Sequence, residues 1–224
     1  MAMMLSFAWS AQATNCNSTS KQISASCTIA AAGTWTVVAD LNLTGSTSGI
    51  SINSSLGAVI IKLNGFSIIG PGSGTGVGIS GSSANSVTVE NGRILSMGGN
   101  GITLGTSATV TDVGVDSNGG DGIAVGNDST IEYSEAGSNG STGIACGGDC
   151  TIDYDVVDNN ATGISTSATG GILKGDEVAS NTTATSLTTT TTLDQNVFDN
   201  NSSSCSSLGG GASDDNNVCD GVIH

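Results

Sequence analysis

Three pairs of chemically capable residues recur at a spacing of 21 positions: Glu132 with Asp153, Asp155 with Asp176, and Tyr133 with Tyr154. If that spacing is one turn of a repeating fold, each carboxylate pair sits about 5 Å apart, as in retaining glycosidases. Like-charge repulsion across such a pair raises one pKa, which suits a general acid. Catalysis is not required by this geometry, because any stack of acidic strands produces it. The tyrosines also read in two ways, as a platform for a sugar ring or as an aromatic ladder packing turn on turn. Hard cations favour clustered carboxylates, so Ca²⁺ is the cofactor the acidic columns would take. The segment DSNGGDG (116–122) adds Asp116 and Asp121 as candidate metal ligands, although it matches neither an EF-hand loop nor the GGxGxD repeat.

The charge balance narrows the partners. Nineteen acidic residues against four basic ones give a net charge of −15. Binding nucleic acid requires Lys and Arg to displace counterions from phosphates, so nucleic acid is excluded as an expected partner. Anionic membrane surfaces are disfavoured for the same reason. No stretch supplies the roughly 20 apolar residues of a membrane-spanning helix, so no membrane insertion is expected.

The start, MAMMLSFAWSAQA, is apolar and ends in Ala11-Gln12-Ala13, a small-x-small cleavage pattern without a basic leader. Residues 1–13 are expected to be a signal peptide, with maturation near Thr14 and export to the medium or cell surface. Six cysteines agree with an oxidising compartment. Proximity suggests the pairs Cys16 with Cys27, Cys146 with Cys150 and Cys205 with Cys219, out of 15 connectivities. Zinc is the competing reading, but His224 is the single histidine and no CxxC occurs.

These residues need a scaffold that repeats. Gly-Ile pairs stand at Gly49-Ile50, Gly78-Ile79, Gly101-Ile102, Gly122-Ile123, Gly143-Ile144 and Gly163-Ile164. Reading at a step of 21 gives apolar columns: Ile68, Val89, Val110, Ile131, Ile152, Leu173, and then Ile94, Val115, Ala136, Val157, Val178. A third column is Asn118, Asn139, Asn160, Asn181. Leucine-rich repeats share this period but need an LxxLxLxxN core, which is missing. Short β-branched runs (VTV, TIEY, TIDYDVV) separated by Gly, Asn, Ser and Asp instead describe an all-β solenoid, a parallel β-helix with coils of about 21 residues. Coils would lie about 4.8 Å apart. The asparagines are expected to occupy one turn and bond from coil to coil. The Gly before each Ile is expected to adopt φ values that other residues resist. Residues 14–45, with Trp35, form the expected N-terminal cap, 46–187 the coils, and 188–224 an irregular C-terminal cap.

The run VIIKLNGFSIIGPGSGTGVGISGSSANSVTVENGRI (59–94) resembles the opening coils of bacterial secreted right-handed parallel β-helix proteins of the pectin-lyase-like superfamily. The entry segment CTIAAAGTWTVVADLNLTG (27–45) is similar to theirs as well. The resemblance implies a right-handed helix and leaves function open, since the superfamily includes lyases, hydrolases, tailspikes and adhesins. Its lyases need an Arg or Lys base, usually with Ca²⁺. Lys21, Lys62, Arg93 and Lys174 match no such motif, and the Asp and His motifs of its hydrolases are absent. Arg93 shares a column with Glu135 and Glu177 and reads as a local ion pair.

The residues therefore favour a non-catalytic secreted or cell-surface protein that binds extracellular glycans or contributes to a surface layer. A carbohydrate-active enzyme of the same superfamily, using Glu132, Asp153, Asp155 or Asp176, is the main alternative. Ice binding through Thr rows and self-association into filaments are further ones. Neither Thr109 with Thr111 nor Thr130 continues into a regular array.

Overall fold

The computed structural model describes residues 14–188, 190–202, 212–213, 216–220 and 222–223. The expected signal peptide, Cys205 and much of the C-terminal cap lie outside them. The described chain is all-β, without helix, and its strands stack in parallel as a β-solenoid. Each complete coil contributes to three strips. The first strip is a nine-stranded sheet running from Thr14–Asn15 through Ile102–Leu104 and Ile123–Val125 to Thr183–Ser186. The second contains Thr130–Glu132, Thr151–Asp153, Ile172–Lys174 and Thr192–Asp194. The third contains Glu135–Gly137, Val156–Asp158, Glu177–Ala179 and Val197–Asp199. Two long strands, Val87–Leu95 and Thr109–Asp116, cross from the second strip to the third.

Alternation within each strand sends one apolar row inward. The second strip stacks Trp35, Ile61, Val89, Val110, Ile131, Ile152, Leu173 and Leu193 in register. The third stacks Ile68, Ile94, Val115, Ala136, Val157, Val178 and Phe198. All of these side chains are buried. Ile68 thus belongs to the third strip and not above Val89, as the constant 21-residue step suggested. Val89 pairs with Ile61, 28 positions earlier, and Ile94 with Ile68, 26 earlier. The first coils are longer; beyond Val89 the step is 21 and shortens to 20 in several later pairings.

Both ends extend the stack. Cys27–Ile29, Gly33–Val37 and Leu41–Asn42, from the segment expected as a cap, each pair with the next coil. Trp35 is fully buried and donates its indole N–H to the Ala31 carbonyl at 3.1 Å. Pairing continues past residue 187 to Val197–Asp199 and Val218–Cys219. Val222–Ile223 then turns back in the one antiparallel pairing among the described strands.

Corners divide the strips. Each corner of a 21-residue coil holds one left-handed residue, as in Ser107, Asp112 and Ser117 and again in Asp128, Tyr133 and Ser138. Ser, Asn and Asp tolerate this conformation because their short polar side chains bond locally. The Gly of each Gly-Ile pair is not left-handed. It is small because the coils approach there: a Cβ on Gly122 would lie 2.6 Å from the Gly143 carbonyl oxygen and 2.7 Å from Asn139 Nδ2.

The asparagine column forms a ladder, as its spacing suggested. Asn118 donates from both its backbone N–H (3.1 Å) and its amide (3.0 Å) to Asn139 Oδ1. Asn139 does the same to Asn160 (2.9 and 3.2 Å), and Asn160 to Asn181 (2.8 and 3.1 Å). Asn201 extends the ladder by one rung. Buried corner amides that water cannot reach are thereby satisfied.

Candidate functional site: a tyrosine corner with two acidic columns

The corner between the second and third strips carries Asn64, Asn91, Asp112, Tyr133, Tyr154, Gly175, Gln195 and Asn216 in successive coils, all with positive φ. Tyrosine is out of place in this series. A bulky side chain at φ of 53° or 57° is a conformational outlier, costing about 1–2 kcal/mol each. Such strain clusters where a side chain must be presented in a particular place.

The two rings stack with centroids 5.6 Å apart and an interplanar angle of 3°. Tyr154 rests on Gly175, whose hydrogen leaves room: a Cβ there would come within 2.6 Å of the ring carbons. Tyr133 ends the stack on the other side, where the next corner residue is the shorter Asp112. Tyr133 is 60% exposed and Tyr154 47%, and Val156 beside them is also exposed. Together with Arg93, Asp112 and Glu135 they line a groove of about 680 Å³. Gly114, in register between Arg93 and Glu135, forms part of its wall and leaves space where a side chain would point outward.

Arg93 is held at the groove's edge by Asp116, with Glu135 3.8 Å away. Asp116, a candidate metal ligand, is thus engaged by a cation of the protein itself. Asp121 accepts a bond from the Thr142 backbone N–H at 3.0 Å and so pins a turn. Among the described residues, no three Asp, Glu, His or Cys side chains converge in a way that could hold a metal ion.

The four carboxylate candidates separate into two environments. Glu132 and Asp153 are register partners on the outward side of the second strip, one strand spacing (about 4.8 Å) apart. Their column continues through Lys174 to Asp194, which pair at 3.7 Å. Asp155 and Asp176 are each only 1% exposed, so a substrate on the outer face cannot touch them. They are rungs of a second polar ladder. Asp155 Oδ1 accepts the Ser134 N–H (2.6 Å), Asp176 Oδ1 the Asp155 N–H (2.9 Å), Asn196 Oδ1 the Asp176 N–H (2.9 Å) and Asn217 Oδ1 the Asn196 N–H (3.0 Å). Burial is the main cause that pushes Asp155 up to about 8. Backbone donors at Ser134 and Asp153 oppose the rise, and the charges of Asp153 and Glu132 add to it. Asp176 is raised as well, first by burial and then by the charge of Asp155. The sequence held a sign of this internal role, since the column runs on into Asn196 and Asn217.

Two disulfides join Cys16 with Cys27 and Cys146 with Cys150. Cys219 is also disulfide-bonded, while Cys205 lies outside the described residues. Thr88, Thr109, Thr130 and Thr151 do align on the second strip, but Ile60 and Ile172 bound that row. No helix among the described residues is long and apolar enough to cross a membrane. Comparison with known proteins gives no match to any family model, curated protein or solved structure.

Proposed function

We propose that this protein is a secreted, non-catalytic β-solenoid that binds extracellular glycans on the tyrosine corner. The observation that carries the reading is the Tyr133–Tyr154 stack at left-handed positions which the neighbouring coils fill with Asn, Asp, Gly or Gln. The outer face of Tyr133, at the free end of the stack, offers an apolar surface to the C–H face of a sugar. Arg93, Asp112 and Glu135 around the groove supply donors and acceptors for its hydroxyls. Disulfides and an apolar leader support export. The stacked coils and the 59–94 run support placement among the pectin-lyase-like β-helix proteins, with the site as a binding surface.

Screening the mature protein on a glycan array, with Ca²⁺ and then with EDTA, tests this reading. Retention of a defined oligosaccharide in both conditions, without cleavage products, is the expected result. Cleavage products would assign chemistry to Glu132 and Asp153, the two candidates that face outward. No retention of any glycan would remove the platform reading and leave a structural solenoid.

A further inference from the structure

The second polar ladder contains two chemically different kinds of rung. In an asparagine rung the amide oxygen accepts from the rung before, and the amide nitrogen donates twice. Asn196 Nδ2 donates to the Leu173 carbonyl at 2.9 Å and to Asn217 Oδ1 at 3.0 Å. Asn217 Nδ2 donates to the Leu193 carbonyl at 3.1 Å. The aspartate rungs reproduce the accepting half of this pattern through Oδ1. Their remaining oxygens, Asp155 Oδ2 and Asp176 Oδ2, are buried without a hydrogen-bond partner. By the pattern of the ladder those atoms stand where an amide nitrogen would, facing acceptors. A carboxylate oxygen cannot donate to an acceptor, but a protonated one can.

We propose that Asp155 and Asp176 are held as neutral acids that substitute for asparagine, forming a proton-dependent latch behind the tyrosine corner. With a proton on each Oδ2 the ladder is complete from Ser134 to Asn217. Without it, two negative charges are buried one coil apart, and the turn they close is opened. That turn presents the platform directly: Tyr133 precedes Ser134, whose N–H the latch holds, and Tyr154 precedes Asp155.

The charges around the latch oppose ionisation. Glu132 and Asp153 flank it on the second strip, and Glu135 and Glu177 begin the adjoining strands of the third. Tyr133 and Tyr154 lie at the corner itself. Lys174 is the nearest cation along the second strip and is shared with Asp194. The rise in both pKa values, driven by burial, agrees with this arrangement. The protonation part of the proposal stands on the ladder alone. Its consequence for sugar binding rests on the platform reading.

The test is carboxyl-carbon NMR of the full mature protein across pH 4 to 10, with D155N and D176N assigning the two signals. Both carbons are expected to stay at the neutral-acid position well above the pH at which exposed aspartates ionise. The double variant D155N/D176N is expected to fold and to keep its coils where the wild type loosens at alkaline pH. Two outcomes overturn the proposal: either carbon titrating together with the exposed aspartates, or wild type and double variant losing structure over the same pH range. If the double variant does not fold, the wild-type titration still decides. Absent glycan binding alongside late-titrating carbons would defeat the platform and leave the latch standing.

Discussion

Replacing Asn139 by alanine tests the energetic core of the solenoid, because its amide sits in the middle of the longer ladder. The side chain accepts the Asn118 N–H and one Asn118 amide hydrogen, and donates to the Val115 carbonyl at 3.0 Å and to Asn160 Oδ1. Alanine supplies none of these. Asn160 Oδ1 keeps the Asn139 backbone N–H and the Val115 carbonyl keeps its place in the strand ladder, so the groups left in deficit are the Asn118 N–H and its amide hydrogen. Both lie in the interior, and each buried group without a partner costs about 1–3 kcal/mol. Allowing for partial relaxation, the expected loss is about 4 kcal/mol, equivalent to about 10 °C in melting temperature for a chain of this size. Asn42→Ala is the control, since Asn42 is exposed, and a change within about 0.5 kcal/mol is expected there. Urea unfolding followed by far-UV circular dichroism gives both values. A solenoid transmits stability from coil to coil, so the denaturation slope must be checked for a break in cooperativity. If Asn139→Ala were no worse than Asn42→Ala, the ladder would not be holding the coils.

Other variants probe separate parts of the account. For D155N the sign follows from a folded-state pKa raised from 3.8 to about 8: stability is complete below the unfolded value and is lost as pH rises toward the folded one. The advantage of D155N over wild type should therefore be small near pH 4 and grow toward about 5 kcal/mol by pH 8, at up to about 1.4 kcal/mol per pH unit; urea titrations at several pH values read it, and a constant difference would refute the neutral acid. Gly122→Ala places a methyl group against the Gly143 carbonyl of the next coil, and about 2 kcal/mol of destabilisation is expected in thermal melts.

Much of the fold was legible because a parallel solenoid stacks one residue type on itself. Val110, Ile131 and Ile152, and likewise Asn118, Asn139 and Asn160, reveal the 21-residue step without any alignment. The step failed at Ile68, because longer early coils shift the register in a way no constant period can show. The glycines before each isoleucine misled for another reason. Sequence marks that a side chain is absent but does not say whether backbone angle or a neighbouring carbonyl excludes it. At the site, the alignment of Tyr133 with Tyr154 and of Glu132 with Asp153 followed from spacing alone. Burial did not. Asp153 and Asp155 are two residues apart and alternate strands would place them alike, but the corner at Tyr154 intervenes and turns Asp155 inward. The left-handed corner would have been readable from Asn91, Asp112 and Gly175, which bracket the tyrosines in the same column.

The most direct test of the central claim is calorimetric titration of the wild type and of Y133A with the oligosaccharide selected on the array, at pH 6. Tyr133 is largely exposed, so its removal should leave the melting temperature nearly unchanged, since alanine keeps the Cβ that causes the left-handed strain. Loss of one stacking face is expected to weaken binding by about tenfold or more. Equal affinity of Y133A and wild type, with both folded, would contradict the assignment of the tyrosine corner as the binding site.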